Sequence, residues 1–343
     1  MNHIDYKTNP DSPLGDGGLY YRLIALWILC EAMLGAIIFT FRIPVSGLVI
    51  GSCAVTCITL IAWYVPAKGT ILKATLIVAI FKMMLSPQAP PPAYVAVFFQ
   101  GLMGELLFWN RKYFRFFCVL LAVLAMMESA FQRIISMTII YGSDLWTAVN
   151  GFISNISGSS QPTDYSYFII FWYVLLHIVA GILLGVWTGF LPQRIRNMQS
   201  FQQRYPASTT GTVLAIPQRR RRKKLRIALF IAWILLLGMY IQSFFKIGTP
   251  LLPSSLILRI LIRSVIIVFT WYFLISPALK KILHKWLQRK KQQSAGQVQQ
   301  VLDILPSTQG LIARSWQLAN DRKGWKRISL FCKIILANTF YSR

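Results

Sequence analysis

The stretch at residues 165–191, YSYFIIFWYVLLHIVAGILLGVWTGFL, carries no Asp, Glu, Lys or Arg across 27 positions. A helix needs about 20 predominantly apolar residues to cross a bilayer, so this segment reads as a membrane span. Working outward, apolar runs at 21–41, 45–65, 70–85, 93–109 and 114–141 precede it, and runs at 227–245 and 251–275 follow. The run at 70–85 is the shortest and contains Lys82; SPQAPPP at 86–92 ends it, because that string cannot continue a helix. Over all 343 residues, 55% are hydrophobic and only 13% are charged, against about 25% charged in a soluble domain. Half the usual charge cannot solvate a globule of this size, and so apolar a chain is not intrinsically disordered. The expected fold is an all-α integral membrane protein: a six-helix transmembrane bundle, two further transmembrane helices and a cytoplasmic helical tail.

The formal net charge is +26, which in a soluble protein would indicate nucleic acid. Placement explains it otherwise. With the N-terminus inside and the spans alternating, 30 of the 36 Lys and Arg fall on one side of the membrane. The outer loops keep only Arg42 and Lys246, and the spans Lys82, Arg133, Arg259 and Arg263. Cations gather on the cytoplasmic face, so both termini are expected there, in a cell's inner (plasma) membrane. The basic run RRRRKK at 219–224 then contacts anionic lipid headgroups, and no nucleic-acid partner is needed. The organisation read from these shifts is a six-span module at 1–192, a basic connector at 193–226, a two-span module at 227–278 and a tail at 279–343. That tail reads as short surface helices rather than a domain with its own core. The first twenty residues lack a basic segment followed by a short apolar core, so no cleaved signal peptide is expected.

The only glutamates, Glu31, Glu105 and Glu128, all sit inside apolar runs. A carboxylate there costs several kcal/mol unless it is paired or faces water. Lys82, Arg133 and His177 are the candidate partners. Glu128 and Arg133 are five apart, about 140° around a helix, so each should pair with another helix. Lys82, Glu128, Arg133 and His177 can line a cavity for a polar solute entering from outside; equally, they can be ties between helices. Glu105, near an inner end, reads as structural. His177, Gly181, Gly185 and Gly189 repeat every four residues, a small-residue stripe that lets another helix approach to backbone contact. It serves either packing within the bundle or a face that slides against a partner subunit. Gln100, Gly101 and Gly104 offer a further small surface. The five cysteines (Cys30, Cys53, Cys57, Cys118 and Cys332) have no accompanying histidine or carboxylate cluster and read as inert thiols. No phosphate-binding loop, zinc-protease or serine-hydrolase motif occurs. No enzyme activity, metal or cofactor is therefore expected, and any ATP hydrolysis must come from another chain.

Six spans with the N-terminus inside resemble the substrate-binding S components of energy-coupling factor vitamin transporters. The strings KMMLSP at 82–87 and AYVAVFFQG at 93–101, and Leu176-His177 leading into Ala180-Gly181 and Gly185, are similar to such a component. The resemblance covers about residues 20–192. It implies binding of a small polar solute of the vitamin or micronutrient class in a bacterial inner membrane, with uptake driven by an ABC-type ATPase or through a coupling membrane subunit. The family's Ala-x-x-x-Ala contact on the first helix is matched by Ala32 and Ala36. More weakly, Ala313-Arg314-Ser315 resembles the Ala-Arg-Ser of coupling helices in the T subunit, which implies that Arg314 engages an ATPase. The chain departs from a plain S component in continuing past Pro192, and from a T subunit in its few spans. A membrane scaffold without a substrate is the alternative expectation, and a lipid-processing enzyme dependent on Glu128 is a third.

Overall fold

The computed structural model describes residues 16–35, 46–86, 89–157, 164–207, 254–271 and 275–341. Of the described residues, 90% are helical and none lies in a strand, so the protein is all-α. The helices are α1 (Asp16–Leu29), α2 (Ser46–Tyr64), α3 (Thr70–Leu85), α4 (Pro92–Leu107), α5 (Phe114–Tyr141) and α6 (Asp144–Ser157). After them come α7 (Tyr165–Arg196), α8 (Gln199–Arg204), α9 (Ser254–Thr270), α10 (Ser276–Gln293), α11 (Ala295–Leu318) and α12 (Trp325–Tyr341). Among the described residues, three stretches are long and apolar enough to cross a membrane: Gly47–Tyr64, Phe114–Tyr141 and Tyr165–Arg196. Helices α3 and α4 have 16 residues each, about 24 Å at 1.5 Å per residue and short of a ~30 Å hydrocarbon core. The basic run at 219–224 and the apolar run at 227–245 lie outside the described residues.

The chain divides into two compact units. One comprises Met1–Ser129, His177–Ile216 and Ile282–Arg343; the other comprises Ala130–Leu176 and Pro217–Lys281. Within the first, Leu23–Leu29 of α1 is an unbroken apolar stretch, and a helix segment apolar all round belongs inside protein or lipid. Here it is protein: Leu23 through Leu29 are all buried, enclosed by α2, α3, α11 and α12. Helix α3 is buried along nearly its whole length, from Thr70 to Met83. The Tyr20 hydroxyl donates to the Thr70 carbonyl at 2.9 Å, which ties α1 to the start of α3.

Glycines decide how closely the neighbours approach. On α4, Gly101 lies against Thr75 of α3 and Gly104 against Ile58 of α2. On α7, a Cβ at Gly181 would stand 2.8 Å from the Val123 Cα of α5, and one at Gly185 would meet the Val119 backbone. A Cβ at Gly189 would keep ordinary contact with Arg115, at 3.5 Å. The stripe therefore packs α7 on α5 within the chain.

The segment expected as short surface helices instead supplies part of this core. Val298, Val301, Leu305 and Leu311 of α11 are buried in the same cluster as α1. Their helical spacing gives α11 an apolar face, and α1 offers an apolar surface to cover it. At the end of α12, Phe340 packs on Tyr64 with ring centroids 4.7 Å apart. The Asn338 side-chain amide donates to the Tyr205 carbonyl and accepts from the Ala207 N–H, both at 3.0 Å. The Tyr341 hydroxyl donates to the Ile195 carbonyl at 2.9 Å.

In the second unit, α6 occupies what the sequence presents as an outer loop. Ala148 packs on Leu256 and Ile260 of α9. The Arg259 guanidinium lies 3.9 Å from the Asp144 carboxylate, and Arg263 covers Gly142, whose φ of +79° suits glycine.

The glycine geometry generates a contrast. Gly185→Ala should lower the unfolding free energy in detergent by about 1–3 kcal/mol, the usual cost of overpacking. Gly189→Ala should stay close to wild type, and equal thermal shifts for the two would contradict the packing described.

Candidate functional site

Lys82 is the one lysine of α3's C-terminal half, and it lies on the helix's buried face. Its ammonium meets the Glu31 carboxylate at 2.7 Å, with the two side chains 8% and 4% exposed. Glu31 sits in a π-turn, Cys30–Leu34, that continues α1. Such single-turn widenings recur at functional positions. The ammonium also donates to the Ala93 carbonyl in the first turn of α4, at 2.9 Å. It stands 5.8 Å from the centroid of the Tyr94 ring, within cation–π reach. One buried lysine thus joins α1, α3 and α4.

Five buried side-chain polar atoms lack a hydrogen-bond partner among the described residues: the Tyr94 hydroxyl, the Trp27 indole N–H, the Gln100 Oε1, and one atom each of Ser315 and Arg327. Tyr94 is the one whose ring lies against the pair. Trp27 is one turn before Glu31 on α1. Gln100 lies on the α4 face that carries Tyr94, Val97 and Gly104, all buried, and its amide packs beside Gly51 and Met126. An unpartnered buried polar group costs about 1–3 kcal/mol, and Tyr94 carries such a group against the ion pair, with Trp27 one turn before Glu31 and Gln100 farther along α4. Chemically, the set offers an anion, a cation, donors at Trp27 and Tyr94, and an acceptor at Gln100.

Glu105 has a different task. Its carboxylate accepts from the backbone N–H of Gly69 at 2.6 Å, Ile71 at 3.1 Å and Leu72 at 3.3 Å. These are the otherwise orphaned donors at the start of α3, where the helix dipole also favours a negative charge. Gly69 precedes the helix with a φ of +80°, which lets the chain turn into it.

The residues singled out in the sequence do not form one site. Lys82 pairs with Glu31. Glu128 of α5 is half-buried and makes no ion pair among the described residues. His177 of α7 is buried; continuing the Gly181–Val123 and Gly185–Val119 register by one turn puts it level with Met127 and Glu128. Arg133 belongs to the second unit. Ala32 is buried within the chain, and Ala36 lies outside the described residues. Arg314 is exposed on α11 and donates to the Gln317 side chain at 3.2 Å. Sequence reasoning missed Tyr94 and Trp27 and took Gln100 only as part of a small surface on α4. Gln100 was discoverable as a polar residue sharing a face with α4's small residues, whereas a tryptophan in an apolar run carries no such signal. Among the described residues, no group of three His, Cys, Asp or Glu is placed to hold a metal ion.

No family model, curated protein or solved structure matches the chain.

The two carboxylates separate in a stability measurement. Glu105→Gln should cost about 1.5–3 kcal/mol, as expected for hydrogen bonds to a charged acceptor, read as a lowered thermal midpoint. Glu128→Gln should leave that midpoint nearly unchanged.

Proposed function

We propose that the protein is a multi-pass membrane transport protein that binds a small polar solute at the Glu31–Lys82 pair. The reading has eight spans with both termini cytoplasmic. It is supported by the one-sided cations of the sequence and by three helices able to cross a bilayer. The observation that carries the solute site is the buried ion pair with Tyr94, whose hydroxyl has no partner among the described residues, against it; the unpartnered Trp27 N–H lies one turn before Glu31 and Gln100 Oε1 farther along α4. A zwitterion, or a ring bearing amide-like donors and acceptors, complements that set. No nucleotide-binding motif is present in the chain, so the energy for uptake comes from an ABC-type ATPase on a separate chain, as in the energy-coupling factor transporters it resembles. Arg314 is exposed and available for that contact; Ala32, being covered by the chain's own helices, is not.

A second reading is an assembly subunit with no solute. It draws on the same pair, since Lys82 already has Glu31 and Ala93 as partners. Purification under mild detergent from the native membrane, followed by identification of the co-purifying chains, separates the two. The transport reading expects an ATPase subunit in the complex and loss of uptake of one solute in Lys82→Ala. A complex without an ATPase, in which Lys82→Ala lowers stability but alters uptake of no solute, overturns transport in favour of the scaffold.

A further inference from the structure

Where α5 begins, the first unit has a cleft of about 430 Å³ whose lining includes Trp63, Lys112, Tyr113, Arg115, Phe116 and Gln193. Two cations face it and no carboxylate lines it. Lys112 and Arg115 are both exposed, and neither makes an ion pair among the described residues. Each is steadied by an aromatic ring instead. The Lys112 ammonium lies 5.7 Å from the Tyr113 ring centroid and the Arg115 guanidinium 4.4 Å from that of Phe190. Ring contacts of this kind orient a cation without cancelling its charge.

The surroundings are apolar rather than aqueous in character. Phe116 is 63% exposed beside the cleft. It belongs to α5, and Phe190 to α7, two of the helices able to cross a bilayer. Tyr113 and Trp109 add exposed amphipathic rings at the same end, as at a membrane–water boundary. Paired cations next to exposed apolar helix surface match an amphiphile: a phosphate over Lys112 and Arg115, and acyl chains along α5 and α7. A free inorganic anion would use the first part and leave the second idle.

We propose that this cleft is a binding site for the headgroup of an anionic glycerophospholipid, held by Lys112 and Arg115. The site depends on residence in a membrane and not on solute transport, so either proposal can fail without the other. If the chain is anchored this way, the α5–α7 seam is fixed to one leaflet while the rest of the unit is free to respond to a partner.

The test uses the full chain purified in neutral detergent, with bound lipid counted by native mass spectrometry after exposure to equal amounts of phosphatidylglycerol and phosphatidylcholine. Wild type should retain phosphatidylglycerol with roughly tenfold preference, in line with the attraction of two basic side chains to an anionic headgroup. Lys112→Gln/Arg115→Gln should bring the preference near parity. Because both side chains are exposed, its thermal midpoint in phosphatidylcholine should match wild type. Lys323→Gln/Lys326→Gln, which removes two exposed cations elsewhere, should keep the preference. Retention of the preference by the first variant, or its absence in wild type, overturns the site. Displacement of the lipid by millimolar inorganic phosphate also overturns it, because the cleft would then be a free-anion site. Should the double variant unfold, Arg115→Gln alone is expected to lose at least half of the preference, and full retention overturns the proposal.

Discussion

A carboxylate and an ammonium enclosed among apolar helices must find each other. Separately, each would carry a desolvation cost of several kcal/mol, and that cost is offset only by good geometry and further hydrogen bonds. Glu31 and Lys82 meet these conditions at 2.7 Å, with the Ala93 carbonyl taking a second ammonium proton. The first unit is arranged so that this can happen. Helices α1 and α3 are its buried axis, α4 brings its first turn to the lysine, and the π-turn at Cys30–Leu34 presents the carboxylate.

The remaining charges obey the same constraint by other means. Glu105 spends its lone pairs on the start of α3, so a negative charge stabilises a helix end that would otherwise expose donors. Asp144 sits in the first turn of α6 near Arg259. Lys112 and Arg115, by contrast, remain at the surface and are held by rings rather than by acids. A chain with ten acidic residues has few to waste, and the positions of those described are correspondingly informative.

Much of the helix layout was legible from periodicity and punctuation. The run at 70–85 becomes α3 with the same ends, and that at 114–141 becomes α5, because apolar length and flanking breakers are local properties. The glycine stripe of α7 was legible as a close-approach surface, and the structure supplies the partner, α5. The role of Glu105 as structural was also readable, though not its use as a cap. What the sequence hid is tertiary. Nothing near Val298 or Leu305 says that α1 will cover them, and Glu31 and Lys82 are 51 positions apart. Sequence reasoning grouped Lys82 with Glu128, Arg133 and His177 because all are polar in apolar runs; periodicity assigns a residue to a face but does not choose the facing helix.

The central claim is that Glu31 and Lys82 act as one buried unit, and a double-mutant cycle measures it directly. Unfolding free energies of Glu31→Gln, Lys82→Met and the combined variant would be compared with wild type in one detergent. The account predicts that each single change costs about 3–5 kcal/mol, because it strands a charge, and that the double variant recovers most of the loss. Strictly additive losses would contradict it.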